Sequence, residues 1–191
     1  RVRYKNIMSV GQKVIDIDLC SNHKTLITGK NGGGKSTMLE AITFGLFGKP
    51  FRDIKKGQLI NSFNKKDLVV EVWLSYAGSS FYIKRGQKPN ILEIERNGVK
   101  LEETSSVKDF QEYFEGLIGM NYASFKQVVV LGTAGYTPFM QLSTHNRRKL
   151  VEDLLEVSVL AEIDKLNKTA IREVNQNISV LDMKKDHITT E

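Results

Sequence analysis

Residues 29–37, GKNGGGKST, decide how this chain is read. Gly29, Gly34, Lys35 and Ser36 occupy the fixed places of the pattern G-x-x-x-x-G-K-[ST]. Three successive glycines, Gly32, Gly33 and Gly34, let a backbone wrap a phosphate with its N–H groups turned inward, while the helix that follows presents its positive end. In such a loop Lys35 places an ammonium between phosphoryl oxygens, Ser36 ligates Mg²⁺ through its hydroxyl, and Thr37 supports the first helical turn. Lys30 and Asn31 complete the nucleotide-contacting run.

The flanking sequence fits the motif. Upstream, RVRYKN and KVIDIDL alternate with period two and predict strands, and the short apolar run TLITG, residues 25–29, predicts a third strand leading into the loop. Downstream, Met38, Ala41, Ile42 and Leu46 recur at helical spacing until Gly48 and Pro50 stop the helix. Residues 51–67 lack sustained periodicity and predict a loop with a short helical turn. LVVEVWLSY, SSFYIKRG and NILEIERNGVKLEE then predict an antiparallel meander, with Asn97-Gly98 as a tight hairpin turn. A helix capped by Ser105 or Ser106 is expected to bury Phe110, Phe114 and Leu117; NYASFKQ continues helically into VVVL, residues 128–131, read as a buried strand.

From Ser143 or Thr144 the character changes. Leu150, Leu154 and Val157 form one stripe, and Ile171, Val174, Ile178, Leu181, Lys185 and Ile188 follow a three-four spacing, a coiled-coil seam weakened by Asn167 and Lys185. No glycine or proline follows Pro138, so one uninterrupted helix is expected to the last residue. At 1.5 Å per residue it would run about 70 Å and need a partner helix. The expected fold is therefore α/β: residues 1–146 as a globular lobe and residues 147–191 as the root of a coiled-coil arm, with the polypeptide a piece of a longer one or half of a split domain.

Charge divides the same way. The whole chain carries +6, but residues 1–146 hold 20 Lys+Arg against 13 Asp+Glu, and residues 147–191 hold 8 against 9. A basic lobe favours a polyanionic partner. Lys55, Lys56, Lys65, Lys66, Lys84, Arg85 and Lys88 are the candidate contacts to DNA phosphates, and with no groove-reading device in the sequence such binding is expected to ignore base sequence. Cys20 has no partner for an internal disulfide, the three histidines do not cluster, and no apolar run approaches membrane-spanning length, so a cytoplasmic location without membrane contact is expected.

Nucleotide hydrolysis needs more than the loop. An apolar strand ending in Asp or Glu would hold Mg²⁺, yet VVVL runs into Gly132 and Thr133, Glu71 lies inside its strand, and Asp16 and Asp18 precede the loop. No arginine stands out as a charge-stabilising finger. The chain reads as half of a nucleotide site.

RYKNIMSVG, GKNGGGKSTMLEAITFGLFG, ASFKQVVVLGTAGYTPFM and RRKLVEDLLEV, in this order, resemble the N-terminal half of the SMC-related ATPase subunit of double-strand-break repair and recombination nuclease complexes, the SbcC type, and most of all the version carried by T-even bacteriophages. The resemblance spans essentially the whole chain. It implies an ABC-type ATPase head built from two lobes of one polypeptide joined by a long antiparallel coiled coil. The C-terminal lobe supplies the acidic strand end, catalytic glutamate, signature loop and switch histidine. Two such heads would form a homodimer with ATP and Mg²⁺ between them, and a metallophosphoesterase nuclease would grip the arm root at Leu150, Leu154, Val157 and Leu160. In a phage-encoded protein the compartment would be the host cytoplasm.

Two positions depart from the family pattern. Met8 stands where the family has an arginine that reaches the phosphates, with Ser9 kept beside it, so that contact is lost or supplied by another residue. Thr133 falls where the switch glutamine is expected; as a shorter ligand toward Mg²⁺ and the attacking water it predicts slow hydrolysis, with Lys35 as the other catalytic group. Other readings of the residues are a general SMC or RecF/RecN-like DNA-organising head with no nuclease partner, an ordinary P-loop kinase or GTPase, and a non-enzymatic module that keeps the loop to bind nucleotide structurally.

Overall fold

The computed structural model describes residues 1–102, 106–130, 138–155 and 157–189. They divide into two compact units, Arg1–Gln141 and Leu142–Glu191.

Alternation builds the first unit. Strands β1 (Val2–Lys5), β2 (Ile15–Ile17), β3 (Leu68–Tyr76), β4 (Ser79–Gln87), β5 (Ile91–Arg96) and β6 (Val99–Lys100) form one sheet in the order β2-β1-β3-β4-β5-β6, antiparallel throughout. Register puts Val2 opposite Val72, Tyr4 opposite Val70 and Ile83 opposite Ile94, so one face is apolar and buried. The other face carries cross-strand polar and aromatic pairs: Arg3–Glu71 at 3.6 Å, Lys84–Glu93 at 3.4 Å, and Trp73 beside Tyr82. Tyr82 donates to Glu71 at 2.8 Å; burial first, and then this bond to an anion, raise its pKa above the usual tyrosine range. Asn97-Gly98 makes the expected tight turn with φ of 52° and 77°. Ala77-Gly78 makes another of the same kind between β3 and β4.

Helix α1 (Lys35–Phe47) lies on the apolar face and is buried on nearly every side. Its closest approach is at Gly45, where an added Cβ would stand 2.6 Å from Val72 Cγ2 and 3.0 Å from Val70 Cγ1. A Gly45→Val substitution should lower stability by about 2–3 kcal/mol through overpacking, read as a fall in the urea midpoint with unchanged slope. Gly48 ends the helix in the left-handed region at φ 67°, its N–H bonded to Phe44 O. Helix α2 (Val107–Leu117) starts at Ser106, whose hydroxyl accepts from Asp109 N at 3.1 Å; Phe110 and Phe114 are buried, the latter edge-on to Phe81.

Arg85 of β4 knits these elements together. It is 5% exposed; its Nε donates to Gly45 O at 3.0 Å, and its Nη2 reaches Leu46 O and Gln111 Oε1. The guanidinium thus caps the carbonyl end of α1, where a positive charge is favoured. Burial lowers its pKa to about 10, with Glu115 acting in the opposite sense, and it stays charged at neutral pH.

Three expectations change. Residues 25–29 form no strand: Leu26 is 87% exposed, and no described strand lies beside the segment to take up its backbone groups. VVVL is not a buried strand within its described residues. Helix α3 (Tyr122–Ser124) runs on as a wider turn over Phe125–Val129, Phe125 packs on Phe47 at 5.2 Å, and that phase turns Val128 and Val129 outward.

In the second unit, α4 (Thr144–Leu154) and α5 (Ser158–Thr189) replace the single helix. Val157 N bonds back to Glu152 O at 3.1 Å, and Leu160 N to Val157 O at 3.0 Å starts the next turn. The interruption therefore falls between Leu154 and Ser158, in a stretch with neither glycine nor proline. Along α5 the seam residues Ile171, Val174, Ile178 and Leu181 are all at least half exposed. Among the described residues no helix is long and apolar enough to cross a membrane, and no three His, Cys, Asp or Glu side chains group as a metal site.

Candidate functional site

The loop before α1 is shaped by its glycines. Gly32 and Gly34 adopt φ of 82° and 84°, which side chains rarely tolerate, and Gly33 N bonds to Lys30 O at 3.0 Å. A Cβ on Gly33 would sit 3.0 Å from that same oxygen. Thr37 N closes onto Gly34 O at 3.0 Å, beginning the helix directly beneath the loop. Lys35 reaches back, its Nζ donating to Gly29 O at 2.5 Å and Lys30 O at 2.9 Å. Gly29 and Lys30 are therefore its backbone acceptors.

Asn31 through Thr37 form one wall of a cleft of about 400 Å³, and Met8, Ser9 and Arg52 form the rest. Met8 is fixed by its backbone. Its N–H donates to Leu59 O at 2.7 Å, and its carbonyl accepts from Asn61 Nδ2 at 2.8 Å. Asn64 Nδ2 bonds Asn6 Oδ1 at 2.7 Å, and Asn6 Nδ2 bonds Asp67 O at 3.1 Å, so residues 61–67 brace the turn that carries Ser9 into the cleft.

Arg52 escaped the sequence reading. Its Nε lies 2.9 Å from Oε1 of Glu40, a fully buried carboxylate on α1 that also accepts from Phe51 N at 2.7 Å and Arg52 N at 3.2 Å. The available clue was Glu40 itself, an acid among the apolar residues Met38, Leu39 and Ala41, since a buried carboxylate requires partners.

The arrangement suits a polyphosphate. Two cations, Lys35 and Arg52, line the cleft, and no carboxylate is among its described lining residues. The residues present fit ATP through the glycine cradle. They fit Mg²⁺ through the single hydroxyl of Ser36, the remaining ligands of such an ion being phosphate oxygens and water. Thr133, the other expected metal and catalytic residue, lies outside the described residues.

The residues expected to meet DNA differ in their surroundings. Lys55, Lys56, Lys65, Lys66 and Lys88 are exposed, Lys84 pairs with Glu93, and Arg85 is committed to the end of α1. Lys56 is exposed as a whole residue, but its ammonium lies 5.8 Å over the Phe44 ring, and the loss of water there, then the nearby charge of Arg85, lower its pKa.

A family model for an AAA domain matches residues 1–189. Over 188 residues the chain is 70% identical to exonuclease subunit 2 of Escherichia phage RB69, covering 98% of this chain and 34% of that protein. It is 74% identical to exonuclease subunit 2 of Enterobacteria phage T4 over 171 residues, 90% of this chain and 30% of that one. A more distant relative is the DNA double-strand break repair Rad50 ATPase of Thermoplasma acidophilum, 29% identical over 95% of this chain and 20% of its own length. The chain thus spans about a third of its phage relatives. An antiparallel meander beside a phosphate loop and helix, followed by long helices of the kind that form coiled-coil arms, is the N-terminal lobe of a P-loop ATPase, and the chain belongs to the AAA-domain family as an ATPase subunit of the SMC, Rad50 and SbcC type.

Proposed function

We propose that this chain is the ATP-binding lobe of the ATPase subunit of a DNA repair and recombination nuclease, and that ATP drives two such subunits to dimerise. The observation that carries this reading is the cleft, in which a glycine cradle and two cations meet without a carboxylate among the described lining residues. Such a surface can bind phosphates and has no acidic ligand for a metal. The acidic partners then come from the C-terminal lobe of the same subunit, and the far side of the nucleotide from a second copy. Lys35 holds the phosphates, Ser36 ligates Mg²⁺, and Thr133 takes the switch position. Bound Mg²⁺ and ATP supply the electrophilic phosphoryl group; this chain's part is to hold and orient it.

The exposed seam of α5 supports a returning helix, and the root around Leu154, Val157 and Leu160 is the proposed grip of a metallophosphoesterase nuclease; Leu150, expected beside them, is already buried at 6% exposure and takes no part in that surface. Duplex DNA is bound through phosphates by Lys55, Lys56, Lys65, Lys66, Lys84 and Lys88, in the cytoplasm of the cell that makes the protein.

A steady-state assay of the full-length subunit tests the reading. Turnover should be slow for the subunit alone and rise when nuclease partner and DNA are added; rapid turnover indifferent to both additions overturns it. DNA affinity supplies a further check. If these six lysines meet phosphates, binding should weaken about a thousandfold between 50 and 200 mM salt, whatever the base sequence, and equal affinity at the two salts would contradict the assignment.

A further inference from the structure

We infer that the cavity enclosed by Lys56, the end of β4, the β4–β5 turn and the start of α2 is a second anion site, shaped for a small dianionic phosphate, either inorganic phosphate or a phosphomonoester. It shares no lining residue with the nucleotide cleft, and the inference does not depend on the ATP reading.

Four separate segments converge on this space. Lys56 opens the short helical turn Lys56–Leu59, Arg85 stands near the end of β4, Asn90 closes the turn into β5, and Ser106 with Val107 brings in the positive end of α2. Ile91, Leu92 and Phe110 add an apolar wall. The cavity holds about 250 Å³. That is roughly the liquid volume of eight waters, room for a tetrahedral ion and a modest organic substituent.

Charge and unused donors point to an anion. Two cations line the cavity, and no carboxylate is among its described lining residues. Arg85 gives Nε to Gly45 O and Nη2 to Leu46 O and Gln111 Oε1, while Nη1 has no hydrogen-bond partner among the described residues. Glu115, the carboxylate that acts on Arg85, accepts from Gln111 Nε2 at 2.8 Å and does not line the cavity. Among the described residues the side chains of Lys56 and Asn90 make no hydrogen bond or ion pair; the Lys56 ammonium has the Phe44 ring at 5.8 Å. Capping α1 requires Arg85 alone. Lys56 adds a like charge close enough to lower its own pKa, on top of burial, and gains no polar contact in return. A dianion between them removes that repulsion and can accept from Nη1, the ammonium and the Asn90 amide together. Arg85 is only 5% exposed, out of reach of a duplex backbone and open to a small ion. Lys56, with three donors, can hold that ion and still meet DNA from outside.

Equilibrium dialysis of the full-length subunit against labelled inorganic phosphate tests the site, in a Lys35→Ala background that silences the phosphate loop. Phosphate should bind at a single site per subunit. Lys56→Gln, which keeps the stem and drops the charge, should weaken it about tenfold. Asn90→Asp sets a carboxylate among the cations; it should abolish binding and raise the melting temperature measured without phosphate, which separates the effect from misfolding. Displacement of the label by phenyl phosphate at lower concentration than by unlabelled phosphate makes the ligand a phosphomonoester, and displacement only at equal or higher concentration makes it inorganic phosphate. Saturating duplex DNA should leave the label bound; its release by DNA would overturn the proposal and give the cavity to the duplex. Absence of bound phosphate in Lys35→Ala, or binding indifferent to both Lys56→Gln and Asn90→Asp, overturns it equally. Neither result touches the ATP reading, which is measured by nucleotide affinity at Lys35.

Discussion

Replacing Lys35 by alanine lowers the affinity of the full-length subunit for ATP by at least about a hundredfold, and ATP no longer drives dimerisation. The ammonium is the group at the base of the glycine cradle, poised by the carbonyls of Gly29 and Lys30. It can exchange those two acceptors for β- and γ-phosphoryl oxygens without moving the backbone. Two charge-assisted bonds to phosphate are each worth about 1.5–3 kcal/mol, so their combined loss exceeds the 2.7 kcal/mol that corresponds to a hundredfold. The folded lobe should hardly notice, because the bonds given up are exposed and to neutral carbonyls. Calorimetric titration together with a melting curve separates the two effects. An unchanged dissociation constant, with dimerisation and nuclease stimulation intact, would show that the loop is a structural relic.

Glu40→Ala should have the largest effect on stability, about 3 kcal/mol, and should do so with no nucleotide present. The ion pair with Arg52 contributes little of this, since the guanidinium is more than a third exposed and water screens it. The main loss comes from Phe51 N, a buried donor that would be left without its acceptor, and from the void left by a fully buried side chain. Glu40→Gln keeps an acceptor and the volume and should cost about 1 kcal/mol. Urea unfolding measures both; a loss below about 1 kcal/mol for Glu40→Ala would mean that the turn at residues 49–52 is held by other contacts.

These two residues show how the lobe divides its work. Lys35 and Glu40 lie five positions apart on α1, the first turned to the cleft and the second to the core. The helix that presents the phosphate loop therefore also anchors the segment carrying Arg52. The carbonyl end of the same helix is tied to β4 and α2 through Arg85 and Gln111. The middle of α1 is thus tied to the returning chain by Glu40, and its carbonyl end to the sheet by Arg85.

Local sequence determined what depends on near neighbours. The loop pattern gave the cradle and the reach of Lys35. Period-two alternation gave the meander, and Asn97-Gly98 its turn, because pleat and turn geometry are settled within a few residues. The helical phase of Phe110 and Phe114 and the cap at Ser106 are local for the same reason.

Only the tertiary structure decided the rest. Residues 25–29 have the composition of a strand, but a strand exists only where another backbone receives its hydrogen bonds, and no described segment does so. Val128 and Val129 look like core until the packing of Phe125 on Phe47 fixes a helical phase that turns them to solvent. The break between Leu154 and Ser158 falls where no glycine or proline marks a stop. Arg52 reached the cleft because a carboxylate twelve residues earlier caught the returning chain. Sequence alone named the phosphate loop, while the second cation beside it was set by a chain reversal and a buried charge, whose geometry no local pattern encodes.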